Sequence, residues 1–436
     1  MTRRRLIALV AVAASAAAAT ALGGAFRGAS SPGALAAVPG TRLLEPGAGS
    51  TDTAALVAGL QQRLEDSPRD AQGYALLGLA YQQRARETGD PTWYPRSERA
   101  LRRALRLAPE NAAAVGGLGS LALARHRFRD ALVLGRRALR LSPASAHAWG
   151  VIGDAQLELG RYDDAFRAFD TMVRLKPSVG AYARVSYARE LLGRPDDAVT
   201  AMRLALEAAA DQPESTAWTH VQLGKLYWSI GRVGPAARED RAALAAFPGY
   251  PYAYAALAQT EAARGHVRRA IALERRAVDV IPLPQFVSEL GDLYRAAGRP
   301  SESRRQYALV RVIERLLVAN GVRTDLETAL FDADHRLHSA RLVALARRAR
   351  AARPSIDGDD TLAWALARTG RCDEALPWSE RALRLGTLDP LKLFHRGMIE
   401  RCLGGTAAGD AFLRRALSLN PHFSTLWAPV ARRALQ

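Results

Sequence analysis

Phe331-Asp332-Ala333-Asp334-His335, followed by His338, is the one cluster with metal-ligand character in this 436-residue chain. Asp334 and His338 are four apart and Asp332 and His335 three apart, so a single helix could turn two or three donors toward a divalent metal. The competing reading is a bend at His335 that separates the set. A second chemistry lies in paired arginines: Arg102-Arg103, Arg136-Arg137, Arg275-Arg276 and Arg414-Arg415, with Arg268-Arg269, Arg304-Arg305 and Arg347-Arg348 nearby. A ridge of guanidinium groups could draw the chain to anionic lipid head groups or an acidic wall polymer. The bland alternative is a solvated helix face, because this chain writes Arg for Lys and holds only three Lys (Lys176, Lys225, Lys392). No catalytic grammar is present: no Gly-rich phosphate loop, Gly-x-Ser-x-Gly elbow, His-Glu-x-x-His or Cys-x-x-Cys. The chain therefore reads as non-enzymatic, and no motif asks for a cofactor.

Composition bounds the elements that must carry these groups. The chain has 61 Lys+Arg against 43 Asp+Glu, a formal net charge of +18, with 49% hydrophobic and only 7% aromatic residues. Much of the apolar content is Ala, which suits close-packed helices and argues against an all-β fold. The apolar fraction also excludes a disordered chain. Met1 to Arg5 is a cationic start and Leu6 to Leu22 an uncharged apolar run, the pattern of an export signal. The run is barely long enough to span a bilayer, so a cleaved signal is favoured over a permanent N-terminal anchor. Small-x-small cleavage sites end at Ala21 and Ala36. Residues 1–36 are assigned to the signal or anchor and its processing region, and 37–52 to a flexible linker. The remainder is expected outside the cytoplasmic membrane, extracellular or envelope-associated, where nucleic acid is not an expected partner.

Beyond residue 52 the sequence repeats itself. Pro109, Pro143 and Pro177 are spaced by 34 residues, and Gly119 and Gly153, Ala131 and Ala165, Ala236 and Ala270, and Leu223 and Leu257 keep the same interval. Within one unit Trp149, Ile152, Gly153 and Gln156 share a helical face, Gly160 ends that helix, and Ala165, Phe169 and Met172 mark a second one that Pro177 stops. The turns Gly160-Arg161-Tyr162-Asp163-Asp164-Ala165, Gly193-Arg194-Pro195-Asp196-Asp197-Ala198 and Gly370-Arg371-Cys372-Asp373-Glu374-Ala375 share one pattern. A Gly takes the left-handed helix-ending conformation, and acids sit in the first turn of the next helix, where its dipole favours them.

In period, turn and spacing the chain resembles the tetratricopeptide-repeat family from about Ala54 to the C-terminus. The resemblance implies an all-α solenoid of antiparallel helix pairs over residues 53–436, with first helices on a concave face and second helices on a convex one. About ten units are expected, starting near Ala71, Ala112, Ala146, Val179, Ala217, Pro251, Pro284, Gly321, Ile356 and Pro390. A leading helix (Thr53 to Ser67), a closing helix (Ser424 to Gln436), a lengthened turn at Glu87 to Arg96 and a long second helix (Ser301 to Asn320) complete the expectation. Family membership implies a scaffold that holds a peptide or protein partner. The concave residues would include His147, Asp154, Glu158, Arg184, Tyr187, Glu190, Trp218, Lys225, Trp228, Tyr252 and Gln259. Trp149 occupies a regular core site. The Lys, Asn and Arg set with which the family's chaperone adaptors grip a C-terminal carboxylate is absent. Cys372 and Cys402 fall in neighbouring units near the same turn edge, compatible with a disulfide stapling the last two units or with two buried thiols.

Overall fold

The computed structural model describes residues 50–209, 212–335, 337 and 339–436. The export-signal residues, the linker up to 49 and His338 lie outside the described residues. Among those described there are 22 helices and no strand, and no helix is long and apolar enough to cross a membrane. A leading helix α1 (Ser50–Asp66) precedes ten antiparallel pairs. These are α2 (Ala71–Thr88) with α3 (Trp93–Leu107), α4 (Ala112–Ala124) with α5 (Phe128–Leu141), and α6 (Ala146–Glu158) with α7 (Tyr162–Leu175). Next come α8 (Val179–Leu191) with α9 (Pro195–Ala208), α10 (Pro213–Ser229) with α11 (Val233–Ala246), and α12 (Pro251–Ala263) with α13 (Val267–Val280). The last four are α14 (Pro284–Ala296) with α15 (Pro300–Ala319), α16 (Asp325–His335) with α17 (Ser339–Ala352), α18 (Ile356–Arg368) with α19 (Cys372–Ala382), and α20 (Pro390–Cys402) with α21 (Thr406–Leu419). A short α22 (Trp427–Ala434) closes the array.

Local chemistry sets these boundaries. First helices open on side-chain caps: Asp70, Asn111, Ser145, Ser178, Ser355 and Asp389 each accept a backbone N–H of the first turn. They end on turn residues with positive φ, among them Gly160 at 71° and Gly193 at 68°. Burial then separates the two helices of a unit. In α6, 11 of 13 residues are buried, because it packs on α7 and on neighbouring first helices, whereas α7 buries 5 of 14 along one stripe.

The array coils back upon itself, which residue spacing within a unit does not reveal. The Ile356 N–H donates to the Tyr162 hydroxyl (2.7 Å, 194 residues apart), and Asn420 Nδ2 donates to the Trp228 carbonyl (2.7 Å, 192 apart). Arg129 reaches the Ala351 carbonyl at 2.9 Å. The Arg323 N–H donates to the Arg125 carbonyl at 3.1 Å while His126 Nδ1 donates back to the Arg323 carbonyl at 2.8 Å. His126 is the one non-glycine with positive φ (54°) among the described residues, and this two-way clasp holds it there. A separation near 194 residues divided by the 34-residue repeat puts between five and six units in one superhelical turn. The first-to-second helix turns of the first coil therefore seat against the inter-unit loops of the second.

Candidate functional site

First helices line the inside of the coil, and the polar residues expected there divide into two groups. Asp154 and Arg184 are consumed by each other: Arg184, 1% exposed, donates Nε and Nη2 to the two Asp154 oxygens at 2.8 and 2.6 Å. Glu158 is likewise spent, receiving two bonds from Arg353 of the next coil, one of them at 2.9 Å. Assigning these three to a ligand-contacting set is thus corrected: Asp154 and Arg184 neutralise each other between neighbouring units, and the coiling puts Arg353 beside Glu158. His147 lies against Gly116 and faces the Ser120 hydroxyl at 3.3 Å; burial pushes its imidazole down to about 4. Trp218 and Trp228 pack, partly buried, against the cluster around Leu223, Leu226 and Tyr227, and Trp149 packs against Val151 and Ile152.

The second group remains open to the interior. Lys225, Tyr252 and Gln259 line a cavity of about 410 Å³ that continues across α12, α14 and α16. Tyr187 and Glu190 do not line it but are buried along a polar seam with the second coil, in which Lys392 bonds Asp357 (2.8 Å) and Asp389 (2.7 Å). Burial, then the nearby Asp389 carboxylate, push Glu190 up to about 7 against Lys225 and Lys392. Burial lowers Lys225, whose neighbours are Glu190 and Asp240.

The cavity's other charged wall residues are mostly acids: Glu274, Glu289, Asp292, Glu314, Glu327 and Asp334. Internal partners neutralise several of them. Arg311 holds Glu314 at 2.8 Å and Arg353 holds Glu327 at 3.1 Å. Asp292 accepts from Tyr307 (2.6 Å) and from His335 Nε2 (2.9 Å), while His335 Nδ1 donates to the Phe331 carbonyl. Both His335 nitrogens donate, and against the cost of burial the Asp292 carboxylate raises its pKa.

The cluster read as a metal site is taken apart by the same contacts. Asp332 turns to Arg311, Asp334 accepts the indole N–H groups of Trp364 (2.9 Å) and Trp427 (3.0 Å), and His335 turns to Asp292. These three side chains do not converge, because each is drawn to a different partner around α16, and His338 lies outside the described residues. Among the described residues no group of three or more His, Cys, Asp or Glu could hold a metal ion. On the convex side the first Arg of each pair is exposed, but Arg103 and Arg137 are drawn inward to the carbonyls of Pro68 (3.3 Å) and Pro109 (2.8 Å). Cys372 and Cys402 form a disulfide with Cα atoms 6.2 Å apart, joining the unit α18–α19 to α20.

A coiled stack of helix pairs with a polar, partly aromatic interior is an α-solenoid of the protein-interaction scaffold class. Its repeats are similar to tetratricopeptide repeats: that family's model matches residues 93–146, 117–180 and 151–213. Members bind peptides or proteins and are generally non-catalytic. No curated protein matches the chain in sequence. Similar solved structures include a human IFIT1 dimer with m7Gppp-AAAA (16% identity, 72% of each chain, TM-score 0.48). Others are YrrB, described as a tetratricopeptide-repeat protein with an unusual peptide-binding site (20% identity, 42% of this chain and 93% of that one, TM-score 0.29), and the type IV pilus biogenesis factor PilW (19%, 46% and 92%, 0.39).

Proposed function

We propose that the protein is an exported, non-catalytic scaffold that holds a peptide or protein partner inside its coil. The observation that carries this reading is the cavity whose wall includes Lys225 on α10 and Tyr252 and Gln259 on α12, three residues whose polar tips can meet a ligand. Its volume, about 410 Å³, falls within the range of specific binding sites. Export is supported by the cationic and apolar N-terminus and by the Cys372–Cys402 disulfide, which persists in oxidising compartments. Envelope tethering through the Arg ridge is the weaker reading, since Arg103 and Arg137 are engaged with their own chain.

The test is recovery of the protein from culture fluid and envelope, with intact mass fixing where its N-terminus begins. A start after Ala21 or Ala36, with a stoichiometric partner that a Lys225→Ala/Gln259→Ala variant loses, is the expected result. An intact Met1 in the membrane fraction, with no partner and with attachment abolished by Arg136→Gln/Arg275→Gln, would replace the scaffold by the tether.

A further inference from the structure

Two cavity carboxylates lack the counter-charge that their neighbours possess. Glu274, on α13, is 1% exposed, lines the chamber, and neither of its carboxylate oxygens has a hydrogen-bond partner. Glu289, on α14, accepts one bond, from the Thr425 hydroxyl at 2.6 Å. Among the chamber's basic groups, His335 serves Asp292, His126 serves the Arg323 carbonyl, and the acidic neighbours of Lys225 are Glu190 and Asp240 rather than Glu274 or Glu289. Burial, and then the neighbouring Glu289 charge, push Glu274 well above the usual carboxylate range. A carboxyl group so buried is costly unless something pairs with it. Across the chamber Tyr252 and Phe286 meet edge to face, with ring centroids 5.5 Å apart, and such rings attract a desolvated cation.

We propose that this chamber binds an organic cation, an alkylammonium or guanidinium group seated between Glu274 and Glu289 and walled by Tyr252 and Phe286. The proposal rests on the inner-groove reading above and deepens it by naming the ligand's chemistry. That cation is supplied either by a Lys or Arg side chain of the held partner or by a free amine. A chain with a net charge of +18 repels cations at long range, so selection for one must come from short-range groups within this chamber.

Calorimetric titration of the purified full chain tests it with three probes: 1,5-diaminopentane, an octapeptide alternating Gly and Lys, and an octapeptide alternating Gly and Glu. The expected result is saturable binding of a cationic probe, weakened at least about tenfold by Glu274→Gln and by Glu289→Gln. Both variants keep side-chain shape, and Glu207→Gln on the exposed face of α9 should leave binding unchanged. Binding of the lysyl peptide alone assigns the cation to a partner's side chain; binding of the diamine alone assigns it to a small amine. Silence of both cationic probes, or binding undiminished in both glutamine variants, overturns the proposal. If the acidic peptide binds inside the coil while the cationic probes are silent, the cation is wrong and the groove stands. Failure of the groove itself reads out separately, as partner cross-links arising only from the convex face.

Discussion

Replacing Gly231 by Ala, with Gly265→Ala as its matched control, isolates what the coil-to-coil contact contributes. Both residues end a first helix with positive φ, 73° and 81°, so both variants carry the left-handed penalty of about 1–2 kcal/mol. They differ in what a new Cβ would meet. At Gly265 nothing lies within 4 Å, whereas at Gly231 the Leu419 carbonyl oxygen is 2.6 Å away and the Asn420 Cα 3.3 Å away, both in the next coil. Restoring ordinary van der Waals distance requires that backbone to retreat by close to an ångström. Overpacking of this kind costs about 1–3 kcal/mol, and the retreat strains the 2.7 Å bond from Asn420 to the Trp228 carbonyl, worth about 0.5–1.5 kcal/mol more. Gly231→Ala should therefore lose about 2–4 kcal/mol beyond Gly265→Ala. Urea unfolding followed by Trp fluorescence gives the two losses, and small-angle scattering should show the coil opening in the first variant alone. Equal losses with unchanged scattering would mean that the coils do not bear on one another.

Breaking the buried pair that joins the coils, by Glu158→Ala or Arg353→Ala, leaves an uncompensated charge and should cost about 3–5 kcal/mol in the same unfolding experiment. Reduction of Cys372–Cys402, which closes a loop of 30 residues, should remove about 3–4 kcal/mol by the loop-entropy relation, seen as a lower unfolding midpoint with reductant that Cys372→Ser/Cys402→Ser reproduces without it. Stability should also depend on pH with a defined sign. Glu190, Glu214 and Glu289 are each pushed up to about 7, mainly by burial. The folded state thus holds more protons than the unfolded one between the ordinary glutamate value and about 7, and stability falls as pH rises through that window. His126 and His147 are lowered by burial; their contribution is present above the ordinary histidine value and lost as pH falls below it. Over the pH range they share, the three glutamates outweigh the two histidines, so the thermal midpoint should fall as pH rises from about 4.5 toward 7, and a midpoint that climbs steadily across that range would contradict these assignments.

Helix starts were legible because caps and turn residues act locally. Eight of the ten first helices begin at the residue expected from the repeat. The exceptions have local causes. The helix expected at Ala217 begins at Pro213, a residue suited to a first helical position. The one expected at Gly321 begins at Asp325, because Gly321, with φ of 83°, ends the long α15 and Arg323 is held by the first coil. Lys225, Tyr252 and Gln259 could be read as inward-facing from the first-helix register. Asp154, Glu158 and Arg184 shared that register, but their partners include a residue 195 positions away, which depends on small rotations summed over several units. Glu274 and Glu289 escaped notice for different reasons. Glu274 lies on a second helix, assigned to the convex side, yet a signal existed in the sequence. Four residues beyond the small Ala or Ser of the first six second helices stand Leu101, Gly135, Phe169 and Met202, and then Asp240 and Glu274. An acid at a register that the preceding four units fill with apolar residues or Gly marks a place where the interior has been made polar. Glu289 shares its inward face with residues that were identified, and only the closing segment at Thr425 shows what it meets.

The central claim is that the inside of the coil is where this protein holds its partner. Its most direct test places a photo-crosslinking amino acid at Gln259 in one variant and at Arg136 in another, with irradiation in the native envelope and culture fluid. A discrete adduct from Gln259, competed by excess unlabelled protein, with none from Arg136, is the expected result. An adduct from Arg136 with none from Gln259 would contradict it.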